Sequence, residues 1–234
     1  MKHMSGLKLW DLAGEDPARR FSPYCWRTRM ALVHKGLAVE TLPWRFTDRA
    51  AIAPHTKVPV LEHAGGSVSD SWAIAEWLED TYPARPSLFR GEGGRALSLF
   101  VNSFADAVLM GPIARLVVAD IPAVLIERDR AYFYESREAR FGMPLPQVSA
   151  DRDTAVVAFR QSLLPLRLVL RGRDWLSGAT PAYADHIVFG CFQWARCVSA
   201  FRLLAEDDPL YAWRERMLDA YGGLARAVPA FAEA

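Results

Sequence analysis

The sequence has few cysteines, no excess of either charge and no signal-like first segment. Its 234 residues include three cysteines, Cys25, Cys191 and Cys197, with neither metal-ligand spacing nor the density of a secreted disulfide scaffold. The formal net charge of +1 gives no reason to expect nucleic acid or an anionic membrane as a partner. The first residues, MKHMSG, lack an apolar signal region, and no run reaches the roughly 18 apolar residues that a membrane helix needs. These absences predict a cytoplasmic protein without a metal site.

The residues that are present are those of an ordinary globular chain. Hydrophobic residues make up 51% and charged residues 24% of it, and its length suffices for one large or two small domains. Alternation predicts strands over residues 7–12 and 37–44, with a helix over residues 23–35 between them. A short strand, a Gly-Gly hairpin and a second helix follow in residues 57–81. The first part of the chain is therefore predicted to be βαβ followed by ββα.

Residues 57–71, KVPVLEHAGGSVSDS, form the most informative stretch. Pro59 interrupts a short apolar strand, where it cannot donate a ladder hydrogen bond. A cis Val58–Pro59 bond would explain it, because such a bond turns the amide and carbonyl of Val58 outward, towards an extended ligand. Asp70 and Ser71 then open a helix whose free amides and positive end suit a carboxylate, with the Ser71 hydroxyl as a further donor. Backbone pairing beside an anion site predicts a bound peptide.

Ser22 is the residue predicted to carry chemistry. It is the N-cap of a helix that begins at Pro23, so a hydroxyl donor and a positive helix end coincide. A free thiol is only about 3% ionised at neutral pH, and lowering its pKa by ~2 units takes roughly 2.7 kcal/mol. A hydrogen bond to a charged group supplies about 1.5 to 3 kcal/mol and a helix terminus ~0.3 to 1. Ser22 and the helix end are thus sufficient to hold a thiolate, although most serines at such a position serve only as caps.

The order of these elements, with V-P-V-L, the hairpin and D-S-x-x-I, resembles the amino-terminal thioredoxin-like domain of cytosolic glutathione S-transferases. The resemblance implies that glutathione is the co-substrate and that the protein is a homodimer. It implies that Val58, next to Pro59, pairs with the cysteinyl part of glutathione, and that Asp70 and Ser71 hold its γ-glutamyl end.

Proline and glycine concentrate at residues 84–94, which predicts a linker. The predicted fold is therefore a thioredoxin-like α/β domain over residues 1–83, this linker, and an all-α domain over residues 95–234. It is the glutathione S-transferase fold that the resemblance implies. The segment WLSGATPAYADHIVFG also resembles the family, and Asp185 within it is expected to tie a buried central helix to the loop before it.

Periodicity predicts five helices in the second domain. They cover residues 95–110, 123–141, 151–170 and 182–201, and a last stretch from Pro209 to Gly222-Gly223. The first of them is expected to end at Gly111-Pro112.

Further candidates surround this site. Four residues of the helical domain are predicted to line a pocket for a hydrophobic, aromatic substrate facing Ser22: Phe104, Met110, Tyr132 and Tyr134. Packing in the core is the alternative for each. Arg27, His55 and Lys57 could meet the glycine carboxylate of glutathione, and of these His55 and Lys57 are the predicted contacts.

Three activities remain open. The motifs S-P-Y-x-W-R-T, D-S-W-x-I-A-E, P-x-L-F and E-D-D-P-L-x-x-W resemble the bacterial β-aryl etherases and the related fungal transferases. That resemblance implies attack of a glutathione thiolate on a carbon that carries an aryloxy group beside a ketone. Cys25 instead lies where a C-x-x-C motif has its second cysteine, so a thiol-dependent reductase is an alternative. A non-catalytic protein that stores hydrophobic ligands in the same cleft is another.

Overall fold

The computed structural model describes residues 6–231, so the prediction about the first residues of the chain lies outside the described part. Four strands form one sheet in the order β2-β1-β3-β4. They are β1 (Leu7–Leu12), β2 (Val39–Trp44), β3 (Val60–His63) and β4 (Gly66–Ser69). Strand β1 pairs in parallel with β2 and antiparallel with β3, and β3 forms the predicted hairpin with β4.

Helices complete the two parts of the chain. Helix α1 (Pro23–His34) and helix α2 (Ser71–Thr81) accompany the sheet. The remaining helices are α3 (Glu92–Phe104), α4 (Met110–Val117), α5 (Glu127–Phe141), α6 (Leu145–Val148), α7 (Arg152–Ser162), α8 (Leu164–Val169), α9 (Tyr183–Val198) and α10 (Pro209–Gly223). This architecture confirms the predicted fold class, whereas the domain limits at residues 83 and 95 stay a prediction.

The helix that was expected to end at Gly111-Pro112 continues through it, so that prediction is wrong. A π-helical turn, Ala105–Leu109, joins α3 to α4 without a break. A π turn shifts the hydrogen-bond register of a helix, which accommodates a proline that lacks an amide hydrogen. The joined segment, Glu92–Val117, is long and apolar enough to cross a membrane by length and composition alone, and 22% of its most apolar window is buried.

The helix predicted over residues 151–170 is two helices. Helix α7 ends at Ser162 and α8 begins at Leu164, with Pro165 in the first turn of α8. Because proline is tolerated in the first turn of a helix but not in its interior, Pro165 marks a new helix start rather than a continuation.

Close packing of α1 on α9 joins the two parts of the chain. A Cβ atom at Gly190 would lie 2.4 Å from the carbonyl oxygen of Pro23, so only glycine permits this approach. The rings of Trp26 and Phe189 meet edge to face with centroids 6.4 Å apart. The start of α1 is thereby fixed against the helical domain.

Asp185 has the structural role expected of it. Its fully buried carboxylate accepts hydrogen bonds from the amides of Leu176 at 2.8 Å, Ser177 at 3.0 Å and Ala182 at 3.2 Å. The indole of Trp213 donates a fourth, at 2.9 Å. These bonds tie α9 to the loop before it.

Candidate active site

The start of α1 has the cap that the sequence predicts. Ser22 is extended, with φ −66° and ψ 127°, and its Oγ accepts a hydrogen bond from the amide of Cys25 at 3.2 Å. A hydroxyl can accept and donate at the same time, so Ser22 can still donate its own hydrogen. The residue is buried, with 5% of its surface exposed. A hydroxyl donor and the positive end of a 12-residue helix therefore meet at one point.

The Cys25 thiol is fully buried. Burial is the main reason that the pKa of Cys25 lies well above its ordinary value, and the Asp11 carboxylate raises it further while Ser22 opposes this. Asp11 is itself buried, with Arg29 at 3.5 Å and Arg20 at 3.8 Å. A buried, protonated thiol is a poor nucleophile, so this geometry argues against disulfide exchange at Cys25.

The loop before β3 presents free backbone groups. The Val58–Pro59 peptide bond is cis, and β3 begins only at Val60. Within residues 6–231, neither the amide nor the carbonyl of Val58 takes part in a backbone hydrogen bond. Both groups are available to an extended ligand, and the role of Val58 in binding stays a prediction.

Asp70 caps α2 in an unusual backbone conformation. Its φ is 82°, and its Oδ1 accepts hydrogen bonds from the amides of Trp72 at 2.9 Å and Ala73 at 3.1 Å. A non-glycine residue in this region is strained by about 1 to 3 kcal/mol, a feature that clusters at ligand sites. Among the described residues Oδ2 of Asp70 has no hydrogen-bond partner. Ser71 is buried, and its carbonyl accepts from the Tyr183 hydroxyl at 2.6 Å, which ties the start of α2 to α9.

His55 and Lys57 lie beside Val58 in the chain. Nε2 of His55 is 2.8 Å from Oγ of Ser67 on β4. Lys57 is exposed and, within the described part of the chain, its ammonium group is in no salt bridge. The contact of these two residues with a glycine carboxylate stays a prediction.

The structure brings only some of the predicted pocket residues towards the site. The Tyr132 ring lies 5.9 Å from that of Phe46, in the loop after β2. Tyr134 is 40% exposed and lies on another side of α5, since residues two apart on a helix differ by about 200°. Tyr132 and Tyr134 therefore do not line one pocket.

The other two pocket candidates also diverge. Phe104 shares an apolar stripe of α3 with Leu97 and Val101, at the i, i+4, i+7 spacing of one helix face. Leu97 is 69% exposed, whereas Val101 and Phe104 are half-buried and pack against the core, which favours the packing alternative for Phe104. Met110 is half-buried at the start of α4, about a turn beyond Asp106, which faces α1. Met110 is therefore a better candidate than Phe104 for a residue that lines the substrate pocket.

Arg27 does not have the role that the sequence suggested for it, contact with the glycine carboxylate of glutathione. It is buried, and its guanidinium donates to Asn102 and to Asp106, each at 2.7 Å. Burial opposes its charge, but Cys191 and Asp106 raise the pKa of Arg27 above its ordinary value. Arg27 therefore cannot reach a ligand and instead holds α1 to the helical domain. The signal for this contact was the polar pair Asn102 and Asp106, whose spacing of four residues puts both side chains on one side of the helix.

Two cavities lie elsewhere in the molecule. Their volumes are about 480 and 570 Å³, and both are lined by Ala200, Phe201 and Arg202 of the helical domain. None of the predicted site residues lines them. Within residues 6–231, no group of three or more His, Cys, Asp or Glu side chains could hold a metal ion.

Comparison with protein families gives matches to both parts of the chain. Residues 18–86 match the model of the glutathione S-transferase N-terminal domain, and residues 96–208 match that of the C-terminal domain. The glutathione S-transferase-like protein ustS of Aspergillus flavus is 26% identical over 227 residues, covering 82% of this chain and 80% of that protein. Glutathione S-transferase U7 of Arabidopsis thaliana is 24% identical over 169 residues. The match covers 70% of this chain and 62% of that protein.

Solved structures with the same architecture include two fungal proteins. The glutathione S-transferase CsGST63524 of Ceriporiopsis subvermispora, solved in complex with glutathione, superposes with a TM-score of 0.81 at 25% identity, over 96% of this chain and 99% of that one. Glutathione transferase GSTFuA3 from Phanerochaete chrysosporium gives a TM-score of 0.74 at 26% identity, over 99% and 100% of the two chains.

Proposed function

The chain belongs to the glutathione S-transferase superfamily, whose members use glutathione as co-substrate, and we propose that it transfers glutathione to aromatic electrophiles through a thiolate held by Ser22. The observation that carries this proposal is the available hydroxyl of Ser22 at the positive end of α1. Cys25 offers no competing nucleophile there, because its thiol is buried and protonated.

The rest of the tripeptide is assigned to groups of the loop before β3 and of the start of α2. The amide and carbonyl of Val58 pair with the cysteinyl backbone. Oδ2 of Asp70 accepts from the γ-glutamyl ammonium group, and the hydroxyl of Ser71 and the start of α2 receive its carboxylate. His55 and Lys57 meet the glycine carboxylate.

The chemistry is a displacement. The thiol proton passes to solvent, and the hydroxyl of Ser22 and the helix end stabilise the thiolate that remains. The sulfur forms a bond to the electrophilic carbon, and the leaving group departs with the electron pair of the bond that breaks. Fixing sulfur and carbon at reacting distance supplies much of the rate gain.

Replacing the serine tests this role. With an activated aryl chloride as substrate, Ser22→Ala should lower kcat/KM by about 10- to 100-fold, the value of one hydrogen bond to a charged group. Ser22→Thr, which keeps the hydroxyl, should retain most activity. Affinity for S-methylglutathione, which has no thiol to ionise, should be the same in all three proteins.

Two other results would contradict the proposal. An unchanged rate in Ser22→Ala would remove Ser22 from the reaction. Glutathione binding without turnover in the wild type, for any electrophile, would favour the non-catalytic ligand-binding protein.

A finer proposal concerns the leaving group. The four etherase-like motifs support cleavage of β-aryl ethers, in which the thiolate attacks the carbon beside the ketone and the aryloxy group leaves as a phenolate. Incubation with glutathione and a fluorogenic β-aryl ether tests it. Release of the phenol supports the activity, and its absence alongside turnover of an aryl chloride restricts the protein to conjugation.

The homodimer and the cytoplasmic location are proposals as well. Two exposed apolar side chains of α3, Leu97 at 69% and Phe100 at 68% exposure, support association with a second copy. Light scattering of the wild type and of Leu97→Glu would test it, since a charge in the interface should favour the monomer.

A further inference from the structure

Arg137 on α5 is a half-buried cation that has no anionic partner in the described part of the chain. Its guanidinium lies 4.9 Å from the ring centroid of Phe133 and 5.4 Å from that of Phe46, and it donates to the hydroxyl of Ser136 at 2.9 Å. Among residues 6–231, no carboxylate oxygen lies within 4.0 Å of its nitrogens. The two rings hold the guanidinium in place, and its neighbours among the described residues are hydroxyl groups, those of Ser136 and Tyr132, rather than carboxylates.

Such a residue requires an explanation. Partly buried cations usually have carboxylate partners, because water no longer compensates the charge. Burial lowers the pKa of Arg137, the positive charge of Arg140 lowers it further, and only the Tyr132 hydroxyl opposes this. Arg27 and Arg167, by comparison, each donate to a carboxylate, at 2.7 and 2.6 Å.

The ring of Phe46 connects Arg137 to the segment that precedes α1. The Phe46 ring, against which it stacks, is 6.4 Å from the ring of Phe21, the residue before Ser22. The loop that carries Phe46 is fixed because the buried Asp129 accepts its amide at 2.9 Å. Burial raises the pKa of Tyr24 on α1 above its ordinary value, and one of the charges that oppose this rise is that of Arg140, one turn beyond Arg137 on α5.

We propose that Arg137 binds a carboxylate of the aromatic electrophile, whose ring lies against Phe46 and Tyr132. A planar guanidinium pairs with a carboxylate through two parallel hydrogen bonds, which fixes the orientation of the substrate as well as its affinity. Arg49, 5.2 Å from the centroid of the Tyr132 ring, adds positive charge at the rim. The proposal rests on the proposed transferase function and names its substrate class: aryl electrophiles that carry a carboxylate.

The test uses a matched pair of ligands. In 4-chloro-3,5-dinitrobenzoate the glutathione sulfur replaces chloride, which leaves with the C–Cl electron pair, and 4-chloro-3,5-dinitrobenzamide undergoes the same reaction without a carboxylate. The two purified glutathione conjugates are titrated into the protein by calorimetry, so the result does not depend on turnover. The proteins are the wild type, Arg137→Gln, Arg137→Lys and Arg202→Gln. Arg202 is an exposed arginine that contacts none of the predicted site residues in the described part of the chain.

The wild type should bind the carboxylate conjugate at least about tenfold more tightly than the amide conjugate, the effect of one charge-assisted hydrogen bond pair at a partly exposed site. Arg137→Gln should abolish that preference and leave the amide conjugate unaffected. Arg137→Lys should keep part of it, and Arg202→Gln all of it. Retained affinity for the amide conjugate also shows that the variants are folded.

Three results would overturn the proposal. If Arg137→Gln lost affinity for both conjugates equally, Arg137 would serve only in packing and would not bind the carboxylate. A loss of affinity for glutathione itself would assign the cation to the glycine carboxylate of the tripeptide. No preference in the wild type would exclude a carboxylate subsite, and because these titrations need no reaction, this is distinguishable from an inactive Ser22.

Discussion

The two ends of α1 differ in whether their polar groups have partners. At the carboxyl end, Nζ of the buried Lys35 lies 2.7 Å from a Glu79 oxygen and donates to the Tyr82 carbonyl at 3.3 Å. Both ring nitrogens of His34 also have partners, at 2.8 and 3.1 Å. At the amino end, Ser22 accepts one hydrogen bond and can still donate another. The satisfied end joins the parts of the molecule, and the end with a free donor is the one able to receive a ligand.

The largest effect is expected at the satisfied end. Glu79→Ala would leave the Lys35 ammonium group buried without an anion and should lower the free energy of unfolding by about 3 kcal/mol. Urea unfolding measures this. Glu79→Gln should cost less, because an amide oxygen can still accept from Lys35 and from the Leu88 amide, now at 3.0 Å. An unchanged free energy of unfolding in Glu79→Ala would contradict the claim that the buried Lys35 depends on Glu79.

The start of α2 is a second helix end with a group that has no partner among the described residues, Oδ2 of Asp70. Asp70→Asn keeps the cap, since asparagine caps as well as aspartate, but removes the negative charge. We expect the Kd for glutathione to rise about tenfold with stability nearly unchanged. Asp70→Ala should show the same loss of affinity and lose about 1 kcal/mol of stability as well.

Calorimetry and unfolding of the same two variants separate the roles. If Asp70→Asn binds glutathione as tightly as the wild type, Oδ2 of Asp70 is not a ligand contact and the residue is only a cap.

The satisfied end should also respond to pH. The hydroxyl of Tyr221 lies 2.8 Å from His34 and 2.8 Å from His186, which is fully buried. Burial first, and the nearby His34 second, hold the pKa of His186 well below its ordinary value. The unfolded chain therefore takes up a proton that the folded chain does not, once the pH falls below about 6.5.

The free energy of unfolding should accordingly fall as the pH drops below about 6.5, by up to ~1.4 kcal/mol per pH unit for His186, until the lower folded pKa is reached. Urea unfolding across this range tests it. His186→Gln cannot titrate, and its side-chain amide can take the place of Nε2 and donate to Tyr221, so the stability of this variant should change less with pH. Parallel curves for the two proteins would show that His186 titrates alike in both states.

The smallest effect is expected from Cys25. Because its thiol is buried and protonated, Cys25→Ala should leave conjugation within about twofold of the wild type and cost ~1 kcal/mol of stability from lost packing. Steady-state rates with an aryl chloride measure the first quantity and urea unfolding the second. Loss of a disulfide-exchange activity in Cys25→Ala, but not in Ser22→Ala, would favour the reductase.

The sequence predicted those parts of the site that depend on local backbone chemistry. The cap at Ser22, the cis bond before Pro59 and the helix start at Asp70 each follow from a few adjacent residues. The helical half depends on side chains far apart in sequence, such as Arg27 with Asp106 and Phe46 with Arg137. The helix end predicted at Gly111-Pro112 is wrong because the π turn before it lets the helix accommodate the proline. Contacts between side chains far apart in the sequence cannot be predicted from local patterns.

The most direct test of the account is the ionisation of bound glutathione. Ultraviolet thiolate absorbance is recorded against pH for the glutathione complexes of the wild type and of Ser22→Ala. We expect the thiol pKa to lie roughly 2 units below the value of about 8.5 for a free thiol in the wild type, and to return by at least about one unit in Ser22→Ala. The same midpoint in both complexes would contradict the claim that Ser22 holds the thiolate.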